Sequence, residues 1–341
     1  MVKKVQIVSL SSGIIGEHKV KHETTLGIRR LEEYGLTVSF SKHALSGLDY
    51  IKNHPEKRAD DLIEAFCDDS DMILCAIGGD DTYRLLPYLF EDDRLKRALK
   101  NKIFLGFSDT TMNHLMLDKL NFPTFYGQSF LADICELDKE MLPYSEKYFS
   151  ELIRTGKISK IVPSDIWYYE RESYGKEFLG TKRRSQKDRG FELISGKPRF
   201  EGKILGGCID SIYDIFDNSR YPDTVSLCEK YELFPKKEMW KNKILLLETS
   251  EEKPSADLYR KMLIKLKNAG VFDVISGMLI GKPMDEYLYS EYKQILLDVV
   301  NDPELPIVYN VNVGHAQPHC IIPFGVLAKV DAEKQEISFE Y

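Results

Sequence analysis

Short unbroken apolar runs alternate with helical stripes along the first hundred or so residues. Residues 5–10 (Val-Gln-Ile-Val-Ser-Leu) form a compact run and predict a first strand. Residues 20–34 carry a helical stripe that stops at Gly35, where a glycine can close a helix in the left-handed conformation. Residues 36–40 predict the next strand. Residues 55–66 have a helical period with Pro55 in the first turn, where its missing N–H is not needed. Residues 72–77 and 103–107 are almost wholly apolar, as strands buried on both faces are. A helix is expected over 82–89. This βαβα order predicts an α/β fold with a doubly wound parallel sheet, and such sheets bind ligands at the carboxyl ends of their strands.

The pattern then breaks. Residues 163–202 are rich in Tyr, Arg, Lys, Ser and Gly with little periodicity, and read as a linker or a long functional loop. Strands return at 202–206, 243–248, 274–280 and 306–311, with helices at 255–267 and 289–300. Two strands around a polar turn are expected in 326–341. The expected organisation is an N-terminal α/β domain over 1–160, a linker or substrate loop over 161–202, and a smaller α+β domain over 203–341.

Composition adds exclusions. The chain has 341 residues, 30% of them charged, and a net charge of -7. That balance gives no electrostatic footprint for nucleic acid or an anionic membrane. The one basic run, residues 182–189, reads as a solvated loop. Six dispersed cysteines without a Cys-x-x-Cys pair suggest reduced thiols in a cytoplasmic protein. The N-terminus enters a strand at once, without the pattern of a signal peptide, and no apolar run approaches the ~20 residues a membrane span needs.

The chemistry centres on Gly106-Phe-Ser-Asp-Thr-Thr111, at the end of an apolar strand. A strand–turn–helix there lifts the Ser108 hydroxyl onto a sharp corner, a nucleophile's position; the alternative is a helix N-cap. A serine needs a base, and the base needs an orienting acid. Of seven histidines, His315 follows an apolar strand beside Gly314 and is placed to face a cleft, either as base or as a buried loop histidine. His114 lies two turns along the helix from Ser108, pointing away. Glu248 closes the run Ile-Leu-Leu-Leu and is either the acid or an exposed strand end. The amide of Asp109 and the Gly78-Gly79-Asp80-Asp81 turn are candidates for holding an oxyanion. That turn lacks the Lys-Ser/Thr of a phosphate loop, so nucleotide hydrolysis is rejected. A metal site at His315 and His319 is disfavoured because Pro318 disrupts the helix that would align the rings. No metal or cofactor is expected. A doubly wound ligand-binding module without activity is the non-enzymatic alternative.

Taken together, the blocks Arg58–Phe66, Ile77–Pro87, Gly106–Thr111, Tyr126-Gly127, Leu205–Gly207, Leu247-Glu248, Gly314-His315 and Pro323–Gly325 resemble the LD-carboxypeptidase family of serine peptidases, most closely its microcin C immunity peptidase branch. The resemblance implies a flavodoxin-like first domain and a second domain with a β-rich core. It implies a Ser108, Glu248, His315 triad with oxyanion donors near Gly79 and Asp109, commonly in a cytoplasmic homodimer. It also implies a substrate that is either a microcin C-type aminoacyl-adenylate or other small peptide, or a murein tetrapeptide. Asp80 is a candidate substrate contact. Trp167, in Ile-Trp-Tyr-Tyr169, either stacks on a base or packs a domain interface. Gln128, Cys208 and Leu10 depart from the family's usual residues at their positions.

Overall fold

A computed structural model describes residues 1–341. Its strands, in chain order, are β1 (Lys4–Val8), β2 (Thr37–Phe40), β3 (Met72–Cys75), β4 (Ile103–Gly106), β5 (Thr124–Tyr126), β6 (Lys160–Ile161), β7 (Ile166–Tyr168), β8 (Ser185–Lys187), β9 (Glu192–Ser195), β10 (Arg199–Cys208), β11 (Lys243–Glu248), β12 (Gly277–Gly281), β13 (Ile307–Val311), β14 (Ile322–Phe324), β15 (Leu327–Asp331) and β16 (Glu336–Glu340).

The first sheet runs β14-β5-β4-β3-β1-β2. Its five N-terminal strands are parallel and in the 2-1-3-4-5 order of flavodoxin-like folds. Every residue of β3 is buried, as expected for a strand covered on both faces. The helix Lys21–Glu33 ends at Tyr34, and Gly35 at φ +77° lets Leu36 N–H reach back to Leu31 O. The helix expected over 82–89 is split. Thr82–Leu85 is a 3-10 turn and Leu86–Phe90 a short α-helix, because Pro87 supplies no N–H and so begins regular helix rather than continuing it.

The second sheet runs β6-β16-β15-β10-β11-β12-β13-β9, with β10 to β13 parallel. Its helices Ala256–Asn268 and Tyr289–Val300 fall where their periodicity puts them, the first capped by Ser255 Oγ accepting from Leu258 N–H. The fold is therefore α/β, a doubly wound sheet followed by a β-rich α+β unit. The chain crosses between them: β14 pairs antiparallel with β5 of the first sheet. One continuous apolar core spans both sheets. No helix is long and apolar enough to cross a membrane, and all six cysteines are free.

The segment 163–202 is not a plain linker. It folds into the β7–β8 hairpin, strand β9 and the start of β10. The basic run inside it is not wholly solvated either. Arg183 is buried, with its Nε 2.7 Å from Glu136. Asp188 is buried too, and accepts from Asn310 at 2.8 Å and Asn312 at 3.1 Å. Polar side chains with partners distant in sequence are compatible with burial.

Candidate active site

The candidate residues come from both sheets, at or just past the carboxyl ends of their parallel strands. Ser108 follows β4 directly. Its φ is +63°, a left-handed conformation that costs a non-glycine residue roughly 1–2 kcal/mol. The corner is held by Thr111 Oγ1, which donates to Ser108 O at 2.6 Å, and by Tyr126 OH, which accepts Ser108 N–H at 3.2 Å. The strained turn puts Oγ at the cleft instead of back along the helix.

Glu248 is the last residue of β11, and His315 lies four residues beyond the end of β13. His315 Nδ1 is 2.7 Å from Glu248 Oε2, and its Nε2 is 3.0 Å from Ser108 Oγ. The three groups thus lie in series. Gly314 makes the approach possible: at φ +98°, a Cβ there would sit 2.5 Å from Glu248 Oε2. The second carboxylate oxygen of Glu248 accepts from Tyr126 OH at 2.6 Å. A buried carboxylate with donors at both oxygens is well satisfied. Burial alone would lower the His315 pKa. The charge of Glu248 and hydrogen bonds to Glu248 and Glu251 outweigh it, holding the imidazole well above its ordinary 6.5.

Opposite Ser108, the chain turns through Gly78-Gly79. A Cβ at Gly78 would lie 2.6 Å from Ser108 Oγ, so the bare glycine keeps the space over the hydroxyl open. The N–H groups of Gly79 and Asp109 donate to no acceptor in the chain, which leaves both free for a developing oxyanion. The Asp109 side chain fastens the two turns together. Its Oδ2 accepts from Ser11 Oγ at 2.7 Å, Thr82 N–H at 2.9 Å and Thr82 Oγ1 at 2.6 Å. Beneath them, fully buried Arg58 forks onto Asp81 at 2.5 and 3.2 Å and reaches Leu10 O at 3.1 Å. A cavity of about 670 Å³ opens on Gly78, Gly79, Ser108 and His315, with Glu251 at its wall.

Two expected contacts lie elsewhere. Trp167 does not face this cavity. It is 2% exposed, with its ring 4.4 Å from that of Tyr169 and the Lys282 ammonium 5.1 Å over it, so packing occupies the surface that would stack on a base. Asp80 is half exposed outside the cavity and sits 3.7 Å from Arg220. His114 is buried and bonded to Thr124 and Gly106 O, not to Ser108. The Cys208 thiol lies against Glu248 at the end of β10; burial, then the Glu248 charge, pushes its pKa well up, so it is neutral. The sequence alone assigns no role to Tyr126, Arg58 or Glu251.

The sequence matches the LD-carboxypeptidase N-terminal domain over residues 5–127 and the C-terminal domain over 201–330. The chain belongs to the LD-carboxypeptidase family. It is a carboxypeptidase-type hydrolase of the serine peptidase kind. Among solved structures it is similar to a MccF-like protein from Streptococcus pneumoniae in complex with AMP, at 64% identity, covering 100% of this chain and 99% of that one with a TM-score of 0.99. A MccF-like protein from Bacillus anthracis is 24% identical, with 99% and 96% coverage and a TM-score of 0.81. The microcin C7 self-immunity protein MccF of Escherichia coli is 24% identical over 272 residues, 78% of this chain and 72% of that one.

The Tyr126 contacts give a separate prediction. Tyr126→Phe removes one donor from Glu248 and one acceptor from Ser108 N–H, without changing the packing of the ring. We expect kcat to fall about tenfold or more, in line with the ~1.5–3 kcal/mol of a hydrogen bond to a charged group, with KM little changed. Steady-state kinetics of the variant check this; an unchanged kcat would leave the hydroxyl a packing group only.

Proposed function

We propose that this chain hydrolyses the amide bond of a small aminoacyl-nucleotide conjugate or peptide through an acyl-enzyme on Ser108. The observation that carries this is the hydrogen-bonded series Glu248–His315–Ser108, at 2.7 and 3.0 Å. His315 Nε2 takes the Ser108 proton as Oγ attacks the carbonyl carbon. The N–H groups of Gly79 and Asp109 hold the oxyanion. The imidazolium then gives its proton to the leaving nitrogen. In the second half, His315 takes a proton from water as its oxygen attacks the ester carbon, then returns that proton to Ser108 Oγ as the C–Oγ bond breaks and the acid product leaves. Glu248, oriented by Tyr126, holds the ring in place and stabilises the imidazolium.

The similar Streptococcus pneumoniae protein was solved with AMP, and that supports a nucleotide on the leaving side. The cavity of about 670 Å³ has the size of a small-molecule site. The family's name, LD-carboxypeptidase, supports a second reading, in which the substrate is a peptide such as a murein tetrapeptide cut between an L- and a D-centre. Mass spectrometry of products from aminoacyl sulfamoyl adenosines and from murein tetrapeptides, with Ser108→Ala as control, separates the two. We expect cleavage of the first class, absent in the control; cleavage of the second alone would replace this reading.

The pH dependence has a definite sign. Only the neutral imidazole accepts a proton, and its pKa is raised. The acidic limb of kcat/KM should therefore lie above ~6.5, with activity lost as pH falls through it. A profile from pH 5 to 9 with its limb below 6.5 would contradict a base held between carboxylates.

A further inference from the structure

One contact at the site has no place in the mechanism above. His315 Nε2 lies 3.0 Å from Ser108 Oγ and also 3.0 Å from Glu251 Oε2. The other ring nitrogen, Nδ1, faces Glu248 at 2.7 Å. A carboxylate oxygen carries lone pairs only, so at 3.0 Å it favours a ring nitrogen that bears a proton over one that presents its own lone pair. With Nδ1–H held by Glu248, a proton on Nε2 makes the ring an imidazolium. An imidazolium cannot take the Ser108 proton. With carboxylates at both ring nitrogens, the arrangement favours a base that is already loaded.

Glu251 is suited to leave that contact. Its side chain is 62% exposed, and His315 is its one ion-pair partner. Its neighbours are engaged elsewhere: Glu252 with Arg220 at 2.9 Å, Lys253 with Asp285 at 2.7 Å. The turn beneath is pinned, since Ser250 N–H donates to buried Asp210 at 2.9 Å. The Glu251 side chain can therefore swing without moving the backbone. The other groups around His315 are Glu248, Asp210, Cys208 and Tyr126; Lys253 lines the cavity beside Glu251, and Arg220 adds positive charge nearby.

We propose that Glu251 holds the unliganded enzyme with its base protonated, and that an ammonium on the acyl side of the substrate draws Glu251 away and frees His315. This rests on the function proposed above and narrows it to substrates whose acyl residue carries a free amine. Geometry allows it: an α-ammonium sits two bonds from the carbonyl carbon that Ser108 attacks, and the Glu251 carboxylate is one imidazole contact from that serine. The proton balance is simple. The ammonium keeps its protons and takes over the carboxylate, and the proton on Nε2 leaves to water, one per substrate bound. The Glu251 carboxyl, held down to about 2 chiefly by its hydrogen bond to His315, remains an anion in both arrangements.

Two measurements test it. The first needs no turnover: the His315 ring is titrated by NMR in the wild-type protein and in Glu251→Ala. We expect its pKa to fall by about one unit or more in the variant, the usual effect of losing an adjacent opposite charge. An unchanged titration overturns the proposal whether or not the enzyme cleaves these substrates. The second compares an aminoacyl sulfamoyl adenosine with its N-acetyl form. In the wild type, the acidic limb of kcat, which reports the complex, should lie about one unit lower for the free amine than for the N-acetyl substrate. In Glu251→Ala the two limbs should coincide, and the preference for the free amine should shrink about tenfold or more. Equal limbs in the wild type, or a preference that survives in the variant, would overturn the ammonium's part. Failure of both substrates to react would instead refute the function proposed above, leaving the NMR result to decide the role of Glu251.

Discussion

Replacing Ser108 by alanine should cut kcat/KM by about four orders of magnitude or more, the cost seen when one member of a nucleophile–base pair is removed. The loss should fall on kcat, because the hydroxyl is needed only for bond-making. Ligand affinity should survive, since the cavity walls and the free N–H groups of Gly79 and Asp109 are untouched. Stability should change little. Alanine keeps the strained left-handed backbone, and Thr111 and Tyr126 bond to the main chain of residue 108, not to its side chain. Steady-state kinetics with a binding isotherm and a thermal melt check the three parts together. A loss of less than about tenfold would remove Ser108 from the role of nucleophile.

The largest expected effect on stability lies one layer below. Arg58 is fully buried and carries the only strong counter-charge on Asp81, at 2.5 and 3.2 Å; Arg84 is 3.7 Å away and partly exposed. Arg58→Met keeps most of the side chain's volume but strands the Asp81 carboxylate in the core. Breaking a buried pair by removing one partner costs about 3–5 kcal/mol. Arg58→Met with Asp81→Asn should recover much of that loss, because no unpaired charge remains. Urea denaturation of the single and double variants measures both. A single-variant loss under about 1 kcal/mol would mean that water reaches Asp81 and that the pair does not hold the Gly78-Gly79 turn.

The three residues of the hydrogen-bonded series were legible in the sequence for a common reason. Ser108, Glu248 and His315 each stand at or just past the carboxyl end of an apolar strand, and polar groups there are unusual enough to notice. The parallel first sheet was legible because β3 and β4 are apolar on both faces. The supporting residues were not. Arg58 sits on a helix whose pattern reads as amphipathic, and nothing local says that its guanidinium turns inward to Asp81. Tyr126 is one aromatic residue in a buried strand, and its hydroxyl matters only because Glu248, 122 positions away, comes within 2.6 Å. Glu251 reads as one of two adjacent acids in a polar turn. The 163–202 segment hid its structure similarly, because Arg183 and Asp188 are buried on partners far along the chain. Trp167 is an aromatic residue in a polar stretch, yet it is buried within the hairpin against Tyr169 and Lys282 instead of facing the cleft.

The central claim is that Ser108 and His315 act as one unit. Its most direct test is a cycle of kcat/KM values for wild type, Ser108→Ala, His315→Ala and the double variant. The account predicts strong non-additivity: the double variant should be no slower than the slower single variant, because either change alone already abolishes the nucleophile. Losses that multiply would contradict it, since two independently acting side chains would then be contributing to the rate.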